Sequence, residues 1–100
     1  MIIKVAMSFP TTSGHEMGKR LQDGGFDPPD FIEVLGPYYF VFMHEGFRSF
    51  TIFKFEDAKA GEALEWIRRY PRRYIGVPGF TYLVEIASTH LEKMEIVGAA

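Results

Sequence analysis

From Ile2 to Phe9 (IIKVAMSF) the chain alternates: Ile3, Val5, Met7 and Phe9 fall on one side, and Ile2, Lys4, Ala6 and Ser8 on the other. A period of two predicts a strand, and Pro10 closes it. The period then lengthens. Met17 and Leu21 stand four apart behind Ser13-Gly14-His15-Glu16, which fits a capping box, and Gly24-Gly25 follow as a helix stop. Asp27-Pro28-Pro29-Asp30 predicts an extended connector. Residues 31–35 (FIEVL) and 38–44 (YYFVFMH) read as two pieces of one strand or two short strands, interrupted at Gly36-Pro37. Glu45-Gly46 reads as a two-residue hairpin turn, and residues 47–55 (FRSFTIFKF) as the returning strand.

Asp57 stands where it could cap a second helix, in which Ala60, Ala63, Leu64 and Ile67 keep helical spacing. Glu65 and Arg69 form an i, i+4 pair, and Pro71 is expected to end the helix near Tyr70. Gly76-Val77-Pro78-Gly79 predicts a turn, and residues 80–87 (FTYLVEIA) the last strand. Thr89 to Glu92 repeats the capping pattern, so residues 88–100 read as either a helical turn or a short strand. The order is β-α-β-β-α-β plus a tail. It predicts one α+β, ferredoxin-like domain over residues 1–100, with its core in 1–87: an antiparallel sheet with both helices on one face.

Counting back from a Glu45-Gly46 turn sets Met43 opposite Arg48, Val41 opposite Phe50 and Tyr39 opposite Ile52. Two sheet faces follow. One is nearly all apolar (Ile3, Val5, Met7, Phe9, Phe40, Phe42, Phe53, Phe55, Val84, Ile86) and is assigned to the helices. The other mixes Lys4, Ser8, Tyr39, Val41, Met43, Arg48, Phe50, Ile52, Lys54, Leu83 and Glu85. A solvated sheet face is polar by alternation, and this one keeps too many large apolar groups. The expected solution is a second copy packed face to face, giving a two-fold homodimer in which two sheets close a barrel.

Composition sharpens that expectation. Ten phenylalanines, five tyrosines and one tryptophan are many for 100 residues, and need a partner or a pocket to cover them. The net charge of -2 argues against broad attraction to nucleic acid or an anionic membrane. Cysteine is absent, which removes disulfides and thiolate metal sites. No stretch reaches the ~20 apolar residues of a membrane span. A cytoplasmic protein is expected.

Several short stretches carry a resemblance: the first strand ending in Ser8-Phe9, Gly24-Gly25 with Pro28-Pro29, Val34-Leu35-Gly36, and Asp57 through Trp66-Ile67. Together with the element order over residues 1–87, they resemble the dimeric α/β-barrel superfamily, in particular small bacterial and archaeal members of uncharacterised function. The resemblance implies that fold and a homodimer. The superfamily includes haem-degrading and quinone-forming monooxygenases, muconolactone-isomerase-like enzymes and ligand-binding regulatory domains. Its haem-degrading members carry a histidine on the second helix, and residues 57–70 here have none.

Lys4, Tyr39, Arg48 and Glu85 share the mixed face by parity, and Lys4 and Glu85 become cross-strand neighbours if the first and last strands pair. Together they could line an inter-sheet cavity for a small hydrophobic or aromatic anion. The competing reading is a set of interface ion pairs. His15, His44 and His90 share no ligand spacing, so no metal site is expected. Trp66 is expected to pack against Tyr70. No cofactor fingerprint is present, and none is expected to bind. Three functions therefore compete: small-molecule binding in a dimeric barrel, a cofactor-independent monooxygenase-like or isomerase-like enzyme, and a nucleic-acid or protein interaction module using Arg68, Arg69, Arg72 and Arg73. In the run RRYPRRY (68–74), helix capping and ring packing is the first reading. An anion contact through Arg72 and Arg73 is the second.

Overall fold

A computed structural model describes residues 1–42 and 46–87, with the side chain of Phe42 excepted. The elements are β1 (Ile2–Phe9), α1 (Gly14–Gly24), β2 (Glu33–Phe42), β3 (Gly46–Lys54), α2 (Ala60–Arg72) and β4 (Thr81–Ala87), with single 3-10 turns before each helix. The strands form one antiparallel sheet in the order β2-β3-β1-β4. This is a small α+β fold, broadly ferredoxin-like. No helix among the described residues is long and apolar enough to cross a membrane. The expected helical or strand character of the tail and the Thr89 capping pattern lie outside the described residues, as do Met43, His44, Glu45 and His90.

The core lies on one side of the sheet. Ile3, Val5, Met7 and Phe9 of β1 and Phe53 of β3 are buried against Met17 of α1 and Ala63, Ile67 and Tyr70 of α2. Both helices therefore cover the same face, as the alternation of β1 predicts.

Strand pairing differs from the count made from the hairpin. Tyr39 pairs with Ser49, Phe40 with Arg48, Val41 with Phe47, and Phe42 with Gly46. Gly46 belongs to the sheet rather than to a turn. Its φ is 104°, and a Cβ there would lie 2.4 Å from the carbonyl oxygen of Phe9. It is glycine because β3 begins hard against the end of β1. The hairpin register moves by three residues, an odd number, so β2 turns over. Tyr39 and Val41 lie on the helix side, while Tyr38 and Phe40 lie on the open side. Gly36-Pro37 is the irregularity that lets Leu35 and Tyr38 both face outward within one strand. The pairings of β1 place Lys4 between Ile52 and Glu85 and Ser8 between Arg48 and Thr81, as expected, whereas Val84 and Ile86, assigned to the helix-covered face, stand exposed.

Three local expectations also change. Ser13 does not cap α1. Its hydroxyl donates to the Pro78 carbonyl at 2.6 Å, while Glu16 pairs with Arg20 at 3.0 Å. Asp57 lies in the 3-10 turn 57–59 and makes no side-chain cap to α2. Pro71 does not stop α2, which runs to Arg72 with Pro71 buried in its last turn. Proline removes one N–H and crowds the Ile67 carbonyl, but only Arg72 follows it in α2, so little helix is disturbed. The Gly24-Gly25 stop does form: Gly25, with φ 68°, donates to Leu21 at 2.8 Å.

Candidate functional site

The aromatic excess is largely accounted for within the chain. Trp66 stacks on Tyr70 with ring centroids 5.9 Å apart, as its i, i+4 spacing predicts. Phe53 and Phe26 meet both rings edge-on or tilted. Tyr70 touches Tyr74, Tyr74 touches Phe80, and Phe80 stacks on Tyr82. The row crosses the helix side of the sheet, and its member Tyr74 borders a void.

That void lies between α1 and the sheet, with a volume of about 260 Å³. Its walls are Met7 and Phe9 of β1, Phe47 and Ser49 of β3, Tyr39 of β2, Met17 and Leu21 of α1, and Tyr74. Gly14 and Gly18, one turn apart on α1, also line it. A Cβ on Gly18 would meet nothing within 4 Å, so the void exists partly because two side chains are missing from the helix.

The polar groups here are unusual. The hydroxyls of Ser49 and Thr51 are buried on the helix side of β3, and neither has a hydrogen-bond partner among the described residues. Such a group costs about 1–3 kcal/mol while it stays unsatisfied. Ser49 is 3% exposed and is one of the residues lining the cavity. Burial pushes the Tyr74 phenol up to about 12, helped by the neighbouring Tyr70 phenol and opposed by Arg73. Burial also raises Tyr70. Thr51, beside its hydroxyl, partly offsets that rise without reaching ordinary hydrogen-bond geometry.

The residues singled out from the sequence separate into three places. Lys4, Arg48 and Glu85 are together on the open face, where the Lys4 ammonium lies 5.4 Å from the centre of the Phe50 ring. Lys4 and Arg48 line a shallow groove there with Ala6, Phe40 and Phe50. Tyr39 is not with them, because the register places it on the other face and in the cavity under α1. Arg72 and Arg73 point apart. Arg72 is exposed and lines a groove between α2 and β4 with Arg68, Leu64, Tyr82 and Val84. Arg73 turns inward, donates to the Gly25 carbonyl and lies 5.9 Å from the centre of the Tyr70 ring. Arg69 pairs with Glu65 at 2.8 Å. RRYPRRY is thus divided among a helix ion pair, a groove wall and a clamp. Among the described residues no group of acidic or histidine side chains is arranged to hold a metal.

No family model matches the chain, and no curated protein is similar to it.

Sequence reasoning missed Ser49 and the cavity. Ser49 stands between Arg48 and Phe50 with no neighbouring base. The signal was the strand alternation itself, which puts a serine and a threonine on the apolar face of β3 at 49 and 51.

Proposed function

We propose that this protein binds a small, mainly apolar molecule in the cavity between α1 and the sheet. One observation carries the reading: a buried serine hydroxyl, without a partner among the described residues, belongs to the lining of a mainly apolar void. A ligand oxygen placed there would satisfy Ser49 while its carbon frame covers Met7, Met17, Leu21 and Phe47. For scale, a dry apolar cavity of about 150 Å³ accepts benzene. The test is titration with naphthalene, followed through the methyl resonances of Met7 and Met17. Those signals should shift in a saturable way, and Gly18→Leu, which fills the void from the helix, should abolish the shift. Unmoved methionine signals, or shifts that survive Gly18→Leu, would refute the reading.

The open face supports a second element of this proposal, a homodimer of the dimeric α/β-barrel kind. Tyr38, Phe40 and Leu83 stand about half exposed there, beside Phe50 and Ile52. Lys4, Arg48 and Lys54 share the face with Glu33 and Glu85. A patch carrying both signs can meet a rotated copy of itself with opposite charges opposed. In such a dimer the groove of Lys4, Arg48, Phe40 and Phe50 would lie between the sheets and suit an aromatic anion.

A further inference from the structure

The cavity under α1 has a chemical selectivity that its lining dictates. Its walls carry thioether, phenyl and alkyl groups, and its polar atoms come from hydroxyl-bearing side chains: Ser49, Tyr39 and Tyr74. Among the described residues, no lysine, arginine, histidine, aspartate or glutamate lines it. Arg73 and Arg20, which adjoin the lining residues Tyr74 and Leu21, are both engaged. Arg73 donates to the Gly25 carbonyl, with its guanidinium over Tyr70. Arg20 is held by Glu16 at 3.0 Å and donates to the Ile75 carbonyl at 2.6 Å. An ionised ligand entering this space would shed its water and find no counter-charge in the walls. A neutral oxygen would find Ser49, which is buried and has no other partner among the described residues.

Building on the cavity reading above, we infer that the ligand is an uncharged molecule of one or two rings bearing a hydrogen-bonding oxygen, a phenol, alcohol or ketone, whose oxygen meets the Ser49 hydroxyl. The volume sets the ring count and the lining sets the charge. Ser49 sets the need for an oxygen. This departs from the anionic ligand expected on the open face, because the two sites differ in charge: Lys4 and Arg48 line one, and the polar side chains among the described residues lining the other are hydroxyl-bearing. Met7 and Met17 suit such a role, since unbranched thioethers adapt to ring systems of differing outline.

The experiment compares naphthalene, naphthol and naphthoate on the full chain near neutral pH, where naphthoate is ionised and naphthol is not. Naphthol should bind about tenfold tighter than naphthalene, the value of one recovered hydrogen bond. Naphthoate should bind at least about tenfold more weakly than naphthol. In Ser49→Ala the advantage of naphthol over naphthalene should vanish while naphthalene still binds, which also shows that the variant is folded. Naphthoate binding as tightly as naphthol would overturn the inference and leave the cavity reading standing, provided Gly18→Leu still blocks it. A naphthol preference that survives Ser49→Ala would overturn the role of Ser49. If none of the three binds, the cavity reading itself fails and the inference falls with it.

Discussion

Tyr74 and Arg73 are adjacent in sequence, and both are set by what surrounds them on the helix side. Tyr74 is buried, and its phenol is pushed up to about 12 from an ordinary value of about 10. The unfolded chain therefore loses this proton first. Between about pH 10 and 12 the native state binds more protons, so its contribution to stability is complete below about 10 and falls away as the pH rises through 12. Urea unfolding over that window should show a loss of order 2–3 kcal/mol that is reduced in Tyr74→Phe. Arg73 is half-buried and joins the ends of the two helices, through the Gly25 carbonyl and the Tyr70 ring. Arg73→Met keeps much of the stem and loses the donor, so a cost of about 1–2 kcal/mol is expected in thermal or denaturant unfolding. Little of this was legible from residue type alone. Nothing in RRYPRRY distinguishes Arg73 from Arg72, because the difference comes from Gly24. A Cβ there would stand 3.0 Å from the Arg73 guanidinium, so the first glycine of the pair makes room for a side chain 49 positions later.

At the scale of elements, periodicity was a good guide wherever one face was buried. β1 runs over the expected residues, and α1 stops at the expected glycines. The errors lay at junctions. Gly46 looked like a turn residue because Glu-Gly between apolar runs is a turn signal, yet its lack of a Cβ serves the contact with Phe9. That single misreading reversed β2, and it moved Tyr39 from the open-face group to the cavity. Caps failed similarly: Ser13 is drawn to Pro78, a partner 65 residues away that local spacing cannot reveal. The glycines of α1 give the prediction at this scale. Gly18 lies mid-helix with space around it, so Gly18→Leu should raise stability by about 1 kcal/mol in denaturant unfolding. Gained stability with lost naphthalene binding would mean that the helix forgoes some of its propensity to keep the void open.

For the whole molecule, the α+β order and the one-sided core follow from the alternation of apolar residues. The location of a site did not follow, because a cavity depends on what side chains leave unfilled. Assembly is decided in solution. Sedimentation at micromolar concentration should give a dimer, and Phe40→Glu, on the open face and about half exposed, should give a monomer with an unchanged far-ultraviolet spectrum. A wild-type monomer would remove the barrel reading without touching the cavity, since the two lie on opposite faces of the sheet.

The roof of that cavity is fixed at both ends. Ser13 ties the start of α1 to Pro78, while Arg20 and Arg73 tie its far end to the chain around 73–75 and to Gly25. A helix held in this way does not swing open like a lid. The remaining flank is at edge strand β2, where Tyr39 lines the cavity with 55% of its surface in solvent. A ligand of the kind proposed would enter past that ring at the sheet's edge. Rotation of that ring would then govern how fast the site fills and empties, while Ser49, deep in the cavity, governs how tightly it holds.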